Sequence, residues 1–96
     1  MKIRKTVSGS EMTLAVRGCL DESTVSLFED ELQLEGITRL VLDFRALKSI
    51  DKAGMIALVE ANETMKKQGS MTLTKARRGI REVFDFFGLS AVLTIE

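Results

Sequence analysis

Strand-type and helix-type patterns alternate along the chain, and this order limits the fold more than any other feature of the sequence. The first clear segment, "EMTLAVRG", places Met12, Leu14 and Val16 at every second position, which is typical of a strand with one buried face. A shorter β-compatible segment, Lys2 to Thr6, precedes it, and "VSGSE" between the two has the Ser and Gly of a turn. The two segments are predicted to form an antiparallel hairpin.

Helix and strand patterns then follow one another to the end of the chain. The predicted helices are "DESTVSLFEDELQLEG", a segment from Lys52 to Gly69, and "ARRGIREVFDFFG", each ended by a glycine. The predicted strands are "ITRLVLDF", "SMTLTK" and "AVLTI", whereas "RALKSID" is predicted as a loop. The order β-β-α-β-α-β-α-β indicates one α/β domain over residues 1–96, with a mixed sheet of four to five strands and about three helices. Beyond the N-terminal hairpin the sheet is predicted to be largely parallel.

Spacing alone assigns several side chains to the core. The apolar run from Leu40 to Leu42 predicts a central strand that is covered on both faces. Phe84, Phe86 and Phe87 are predicted as mainly core, although helical spacing places Phe86 away from the main apolar face. An exposed Phe86 would mark an association patch. Cys19, in the passage from strand to helix, is interpreted as a small buried hydrophobe.

The composition argues against most kinds of active site. The chain has no histidine and only one cysteine, so the common metal ligand, the common general base and an internal disulfide are all missing. The weakest hypothesis is an enzyme in which Asp43, Asp51 and Lys52 converge at the ends of parallel strands, where ligands bind in such sheets. No glycine-rich phosphate loop accompanies these residues. We therefore expect a protein that is not an enzyme and that needs no metal or cofactor.

Charge and hydropathy favour a cytoplasmic protein. The 14 basic and 14 acidic residues cancel, which argues against nucleic-acid binding. Acids without bases fill the stretch between Gly18 and Thr38, and bases without acids fill the stretch between Thr64 and Arg81. Solvated helix surfaces explain both runs most simply, and two oppositely charged faces are the alternative. The apolar runs are shorter than a membrane span and the N-terminus lacks the apolar core of a secretory signal, so no membrane insertion is expected.

The segment "SIDKAGMIAL" contains a residue that helix stability does not explain. Asp51 is a predicted helix cap that accepts from the Ala53 or Gly54 amide and contributes about 1 kcal/mol. Lys52 follows it in the first helical turn, where a cation is unfavourable by about 0.3–1 kcal/mol because that end of a helix is partly positive. Gly54 would allow the helix start to pack closely against a neighbouring loop.

Three motifs, in this order, resemble the STAS domain, which anti-sigma factor antagonists share with the cytoplasmic tails of sulfate transporters. "VRGCLDEST" resembles the family's passage from strand into first helix, and "LVLDFRALKSIDKAGMIAL" resembles its central strand, loop and Asp-Ser-Ser-Gly-Leu helix start. "VFDFFGLSAVLTI" is similar to its last helix, Gly-Leu and final strand. The resemblance covers nearly the whole chain and implies the STAS fold.

The resemblance also shows where this chain departs from the family. In the family, the serine directly after the aspartate is phosphorylated by a partner kinase that is also the anti-sigma factor, and a phosphatase restores it. Asp51 matches the aspartate, Ala53 the second serine, Gly54 the glycine and Met55 the leucine, but Lys52 stands at the phosphorylated position. Lysine has no hydroxyl, and its fixed positive charge replaces a group that would carry about −1.5 to −2 when phosphorylated.

The first hypothesis is a non-catalytic interaction domain that works by partner switching, as anti-sigma factor antagonists do. It would bind a kinase-type anti-sigma factor, or another regulatory protein, through the loop before the second helix and that helix's first turn. Lys52 would leave the domain permanently competent or controlled elsewhere, and a neutral replacement at an exposed position is the alternative. The residues expected at this surface are Lys48, Ser49, Asp51, Lys52, Ala53, Gly54 and Met55.

A second hypothesis comes from the Asp-x-Ala-Gly pattern, which also resembles the small STAS subunit of bacterial lipid-transport ABC systems. That subunit binds an ATPase subunit and supports its assembly, and it usually has threonine where this chain has Lys52. Ser49 and Ser70 are hydroxyls near the same end that could be modified, although serines in such places normally serve turns. A weak homodimer is also left open.

Overall fold

The computed structural model describes all residues from Met1 to Glu96 as one mixed sheet with three α-helices and a short 3-10 helix. The strands are β1 (Lys2–Ser8), β2 (Glu11–Leu20), β3 (Arg39–Asp43), β4 (Leu47–Ile50), β5 (Ser70–Thr74) and β6 (Thr94–Ile95). The helices are α1 (Val25–Asp30), α2 (Lys52–Lys66) and α3 (Arg78–Phe86), and the 3-10 helix is Leu89–Ala91. None of the helices combines the length and the apolar character that crossing a bilayer requires.

The predicted hairpin and the largely parallel remainder of the sheet are confirmed. β1 pairs with β2 in antiparallel register, from Lys2 opposite Arg17 to Ser8 opposite Glu11. Gly9 in the turn has φ +61°, a conformation that glycine adopts without a steric penalty. β2, β3, β5 and β6 then follow as parallel neighbours, so β3 is central as predicted.

The sheet has six strands, whereas four to five were expected, because the predicted loop "RALKSID" contains β4. This strand is only four residues long and pairs in parallel with the end of β2, from Gly18 to Leu20. Leu47 is its one fully buried side chain, while Lys48 and Ser49 are exposed. A four-residue segment with a single buried position has too little alternation to reveal a strand.

The first helix is much shorter than predicted. It covers Val25–Asp30, and the expected stop at Gly36 is a glycine with φ +76° in a separate turn. Leu34 and Ile37 enter the core from an irregular segment whose carbonyls accept hydrogen bonds from the Gln68 side chain, at 2.5 and 2.7 Å. Because Gln68 is distant in sequence, the helical pattern could not reveal this support.

One hydrophobic cluster of 22 buried residues lies on the side of the sheet that carries Leu40 and Leu42. The face of β3 that carries Val41 is only half-buried, so the prediction of a strand covered on both faces is wrong for this face. Cys19 lies within β2 and is half-buried, so it is less enclosed than expected. On the core side, the rings of Phe44 and Phe84 lie 6.4 Å apart between centroids.

Two of the three aromatic residues assigned mainly to the core in α3 are exposed. Phe84 is fully buried, but 82% of Phe86 and 59% of Phe87 remain accessible, and their rings contact each other edge to face at 5.0 Å. α3 ends at Phe86, so Phe87 leaves the helical spacing that placed it on the inner face. The exposure anticipated for Phe86 is therefore present and extends to Phe87.

Candidate functional site

Asp51 joins the start of α2 to the end of β2. Its Oδ1 accepts a hydrogen bond from the Gly54 backbone N–H at 3.0 Å, which confirms the predicted cap. Its Oδ2 accepts a second bond from the Glu22 N–H at 3.1 Å, and its own N–H donates to the Leu20 carbonyl at 3.2 Å. One carboxylate therefore holds the helix start against the β2–α1 connection.

Gly54 is required at this junction because the backbone of β2 comes too close for a side chain. A Cβ at this position would lie 2.5 Å from the Leu20 carbonyl oxygen and 2.8 Å from Cγ1 of Ile50. Contacts below 3.0 Å are not tolerated without a shift of the backbone. The close packing predicted for Gly54 is confirmed, but the neighbour is the end of strand β2 and not a loop.

Lys52 is the first residue of α2. It is exposed, and its ammonium group takes part in no ion pair. No acidic residue lies in the first turn of the helix. The start of α2 therefore presents an exposed ammonium group that forms no ion pair, next to the Asp51 cap.

The other predicted site residues divide into a surface and a support. Lys48 and Ser49 are exposed on β4, where Ser49 lies opposite Cys19 of β2. Ala53 is half-buried, while Gly54 and Met55 are buried beneath the helix start. Only part of the predicted set can therefore contact a partner directly.

Ser70 does not belong to this end of the molecule. It begins β5 opposite Arg39, the first residue of β3, whereas α2 begins after the last residue of β4. The 15 residues of α2 span about 22 Å between the two ends. The expectation that Ser70 lies near Lys52 is wrong, because α2 returns the chain to the opposite end of the parallel strands.

A turn stabilised by Asp21 lies beside the same site. Its Oδ1 accepts hydrogen bonds from the Ser23 N–H at 3.0 Å and from the Ser23 hydroxyl at 2.7 Å. The bond from the Ser23 hydroxyl contributes most to keeping the pKa of the Asp21 carboxyl below its ordinary value of 3.8. The Ser23 N–H and Thr24 lower this pKa further. The turn therefore remains negatively charged next to the position where Glu22 meets Asp51.

The structure does not assemble the catalytic set considered from the sequence. Asp43 accepts a hydrogen bond from the Arg45 backbone N–H at 3.0 Å, and its nearest cationic group is the Arg45 guanidinium at 3.9 Å. Asp51 is engaged by Gly54 and Glu22, as described above. Asp43, Asp51 and Lys52 share no hydrogen bond or ion pair.

Sequence reasoning missed an apolar groove that lies between α2 and α3. Its volume is about 680 Å³, and Lys52 stands at one end of it. The residues that line the groove are far apart in the chain, so the periodicity of a single helix does not reveal it. The only signal in the sequence is the pair of aromatic residues that follows Phe84. Its apolar lining consists of Ile50, Met55, Ile56, Val59, Val83, Phe87 and Leu89.

A mixed sheet with an N-terminal hairpin, and an aspartate-capped helix that starts at its edge, together define an α/β domain of the STAS class. The model of the family described as "Mlab, STAS domain" matches residues 3–94. The chain therefore belongs to the STAS domain family, as the three sequence motifs indicated. No curated protein matches the chain significantly.

Solved structures share the fold at low sequence identity. An anti-sigma factor antagonist from Mycobacterium paratuberculosis superimposes with a TM-score of 0.87 at 16% identity, over 98% of this chain and 83% of its own. The Bacillus cell fate determinant SpoIIAA, in its phosphorylated form, superimposes with a TM-score of 0.69 at 18% identity, and the match covers 99% of this chain and 91% of SpoIIAA. A sulfate transporter family protein from Wolinella succinogenes superimposes with a TM-score of 0.75 at 22% identity, and the match covers 92% of this chain and 75% of the transporter family protein.

Proposed function

We propose that this chain is a non-catalytic interaction domain that acts in the manner of an anti-sigma factor antagonist. Its partner is a kinase-type anti-sigma factor or another regulatory protein. The contact surface is the exposed edge of β4 and the first turn of α2, with Lys48, Ser49, Asp51, Lys52 and Ala53 outside. Gly54 and Met55 act beneath this surface by holding the helix start in place.

The observation that supports this proposal is the unpaired charge of Lys52, which the motif resemblance matches to the family's phosphorylated serine. The charge does not stabilise the helix, since it lies at the partly positive end, and it has no acidic neighbour within 4.0 Å. A partner carboxylate would provide the missing counter-charge. Such a pair mainly sets the encounter rate and the choice of partner.

The groove beside Lys52 adds a second reason to place a partner here. Protein interfaces combine an apolar centre with a polar rim, and exposed apolar surface on a small domain commonly marks an interaction site. Ile56 and Phe87 are exposed in the groove, and Lys52 lies on its rim. Partner contacts could therefore extend from the helix start along α2.

Lysine at this position removes the usual means of control. A phosphoserine would bring about −1.5 to −2 charges to the surface, whereas Lys52 keeps its positive charge throughout. The domain would then stay competent for binding, or be controlled at another site. Ser49 is the nearest hydroxyl on the same surface and is exposed, so it is the first residue to examine for phosphate.

Binding of purified kinase-type anti-sigma factors from the same source tests the proposal. We expect a complex with one of them, measurable by titration calorimetry, and at least tenfold weaker binding for Lys52→Glu. Lys5→Glu is the matched control, because Lys5 is exposed on β1 and carries the same charge change away from α2. Absence of any complex, or equal binding by Lys52→Glu, would remove the support for this function.

The family description "Mlab, STAS domain" favours a second candidate, the small STAS subunit of a lipid-transport ABC system. In that case the partner would be an ATPase subunit, and the same surface of α2 would bind it. The two candidates are distinguished by titrating the domain with each type of partner. The neighbouring genes give an independent indication, since they would encode sigma-factor regulators in one case and a permease with an ATPase in the other.

A further inference from the structure

A basic cup lies on the face of the sheet opposite to the core residues Leu14 and Leu42. Its volume is about 510 Å³, and strands β1, β2 and the end of β3 form it. Four cationic side chains and a single carboxylate surround a small central residue. The lining residues that matter are Lys2, Arg4, Ala15, Arg17, Asp43 and Arg45.

The strand register brings these side chains to one face. Lys2 lies directly opposite Arg17, and Arg4 lies directly opposite Ala15, which in turn is aligned with Asp43 of β3. Directly opposed residues share a face, as do residues two apart in a strand. Because Ala15 has only a methyl group, open space remains between the basic residues of β1 and those that follow β3.

This arrangement does not serve the stability of the sheet. Like charges directly opposite each other, such as Lys2 and Arg17, destabilise an antiparallel pair. Asp43 is the only acid among them, and it lies 3.9 Å from the Arg45 guanidinium, while Lys2, Arg4 and Arg17 form no ion pair. The positive charge of the cup is therefore mostly uncompensated within the chain.

Protection of an exposed sheet edge explains only part of the cluster. Charged residues on an edge strand prevent pairing with other chains, and β1 is such an edge, which accounts for Lys2 and Arg4. Arg17 belongs to β2, which has neighbours on both sides, and Arg45 follows the central strand β3. Neither of these two arginines protects an edge.

We propose that the cup binds a phosphate-bearing anion through Arg17 and Arg45, with Lys2 and Arg4 contributing charge from β1. Arginine donates pairs of hydrogen bonds that fit phosphate oxygens, and several cations around one concave surface favour a group with more than one negative charge. Asp43 positions Arg45 by accepting its backbone N–H and by facing its guanidinium. The site lies apart from the start of α2 and does not depend on the function proposed for it.

Titration of the intact chain with inorganic tripolyphosphate, followed by backbone amide NMR shifts at low salt, tests the site. We expect saturable shifts at Ala15 and Asp43, and about tenfold weaker binding for Arg17→Gln and for Arg45→Gln. Lys5→Gln is the charge-matched control, because Lys5 lies opposite Leu14 and does not line the cup. Circular dichroism melting of each variant establishes that it is folded.

A second arm identifies the source of the phosphate group. Vesicles of phosphatidylcholine with phosphatidic acid are compared with vesicles of phosphatidylcholine alone in a sedimentation assay. Binding of tripolyphosphate that requires Arg17 and Arg45 supports a soluble ligand, and vesicle binding with the same requirement supports a lipid headgroup. The proposal is overturned if neither probe binds at low salt, or if Lys5→Gln weakens binding as much as the two arginine variants do.

Discussion

The α1 and α2 helices both follow an aspartate, yet the two aspartates act differently. Asp51 caps α2 directly through the Gly54 N–H, and the helix continues for 15 residues. Asp21 accepts its bonds from Ser23 and Thr24 in the preceding turn, and α1, which has no side-chain cap, continues for only 6 residues. Similar local chemistry therefore stabilises a long helix at one start and a rigid turn at the other.

The two starts are also connected, because the Glu22 N–H of the first donates to the Asp51 carboxylate of the second at 3.1 Å. The turn supports the position of α2, and α2 presents Lys52. The hydrogen bonds of Asp51 and the close packing of Gly54 therefore serve to fix the start of α2. Lys52 itself is the residue that the architecture does not need.

The largest effect is expected where the start of α2 packs against the end of β2. Gly54→Ala would place a Cβ 2.5 Å from the Leu20 carbonyl oxygen, and overpacking of this kind costs about 1–3 kcal/mol of unfolding free energy. Urea denaturation measures the change. Gly79→Ala in α3 is the control, since no atom lies within 4 Å of its Cβ, and alanine there should be neutral or stabilising by up to about 1 kcal/mol. Equal effects at both glycines would contradict the close packing at α2.

Loss of the cap comes next. Asp51→Ala removes the bonds to the Gly54 and Glu22 amides and should lower the unfolding free energy by about 1–2 kcal/mol. Asparagine caps helices as well as aspartate does, so Asp51→Asn should retain most of the stability. Thermal melting of the two variants distinguishes the stability that comes from the capping hydrogen bond from the stability that comes from the negative charge. A stability of Asp51→Ala equal to that of the wild type would show that α2 does not depend on its cap.

A smaller change, of opposite sign, is expected at Lys52. Glutamate interacts favourably with the partly positive start of a helix, so Lys52→Glu should raise the unfolding free energy by about 0.3–1 kcal/mol. Chemical denaturation at low and high salt measures it, and salt should reduce the gain. A loss of stability in Lys52→Glu would contradict the assignment of a net unfavourable interaction to the lysine at this helix start.

The smallest effect concerns acid stability at the α1 start. Because hydrogen bonds lower the folded-state pKa of Asp21, its contribution is present above the ordinary value of 3.8 and is lost as the pH falls through the lower folded value. Asp21→Asn should therefore flatten the fall in stability below pH 3.8. Denaturation midpoints measured from pH 5 downwards provide the comparison. An unchanged acid profile in the variant would contradict the role of the Ser23 and Thr24 bonds.

Local signals explain what could be predicted at this site. The Asp51 cap and the extent of α2 depend on residues within a few positions of one another, and these predictions are confirmed. The close packing of Gly54 is also confirmed, although the backbone that it meets is that of the distant Leu20. The order of strands and helices, together with three motifs, was enough to indicate the STAS fold. The exposed start of α2 followed from the same local reasoning.

Distant contacts account for the features that were missed. The segment after α1 has helical spacing but is not a helix, and there the side chain of the distant Gln68 donates to the carbonyls of Leu34 and Ile37. β4 forms because the end of β2 offers it a partner. The groove between α2 and α3 depends on how two helices pack, which no single segment of the sequence encodes.

The fixed charge of Lys52 and the partner binding proposed for it can be tested together in one mixture. The domain is incubated with a kinase-type anti-sigma factor that it binds, together with ATP, and the mixture is analysed by native mass spectrometry. We predict that the complex persists and that the mass of the domain is unchanged. Addition of phosphate to a hydroxyl at this surface, such as that of Ser49, with release of the partner, would contradict the account.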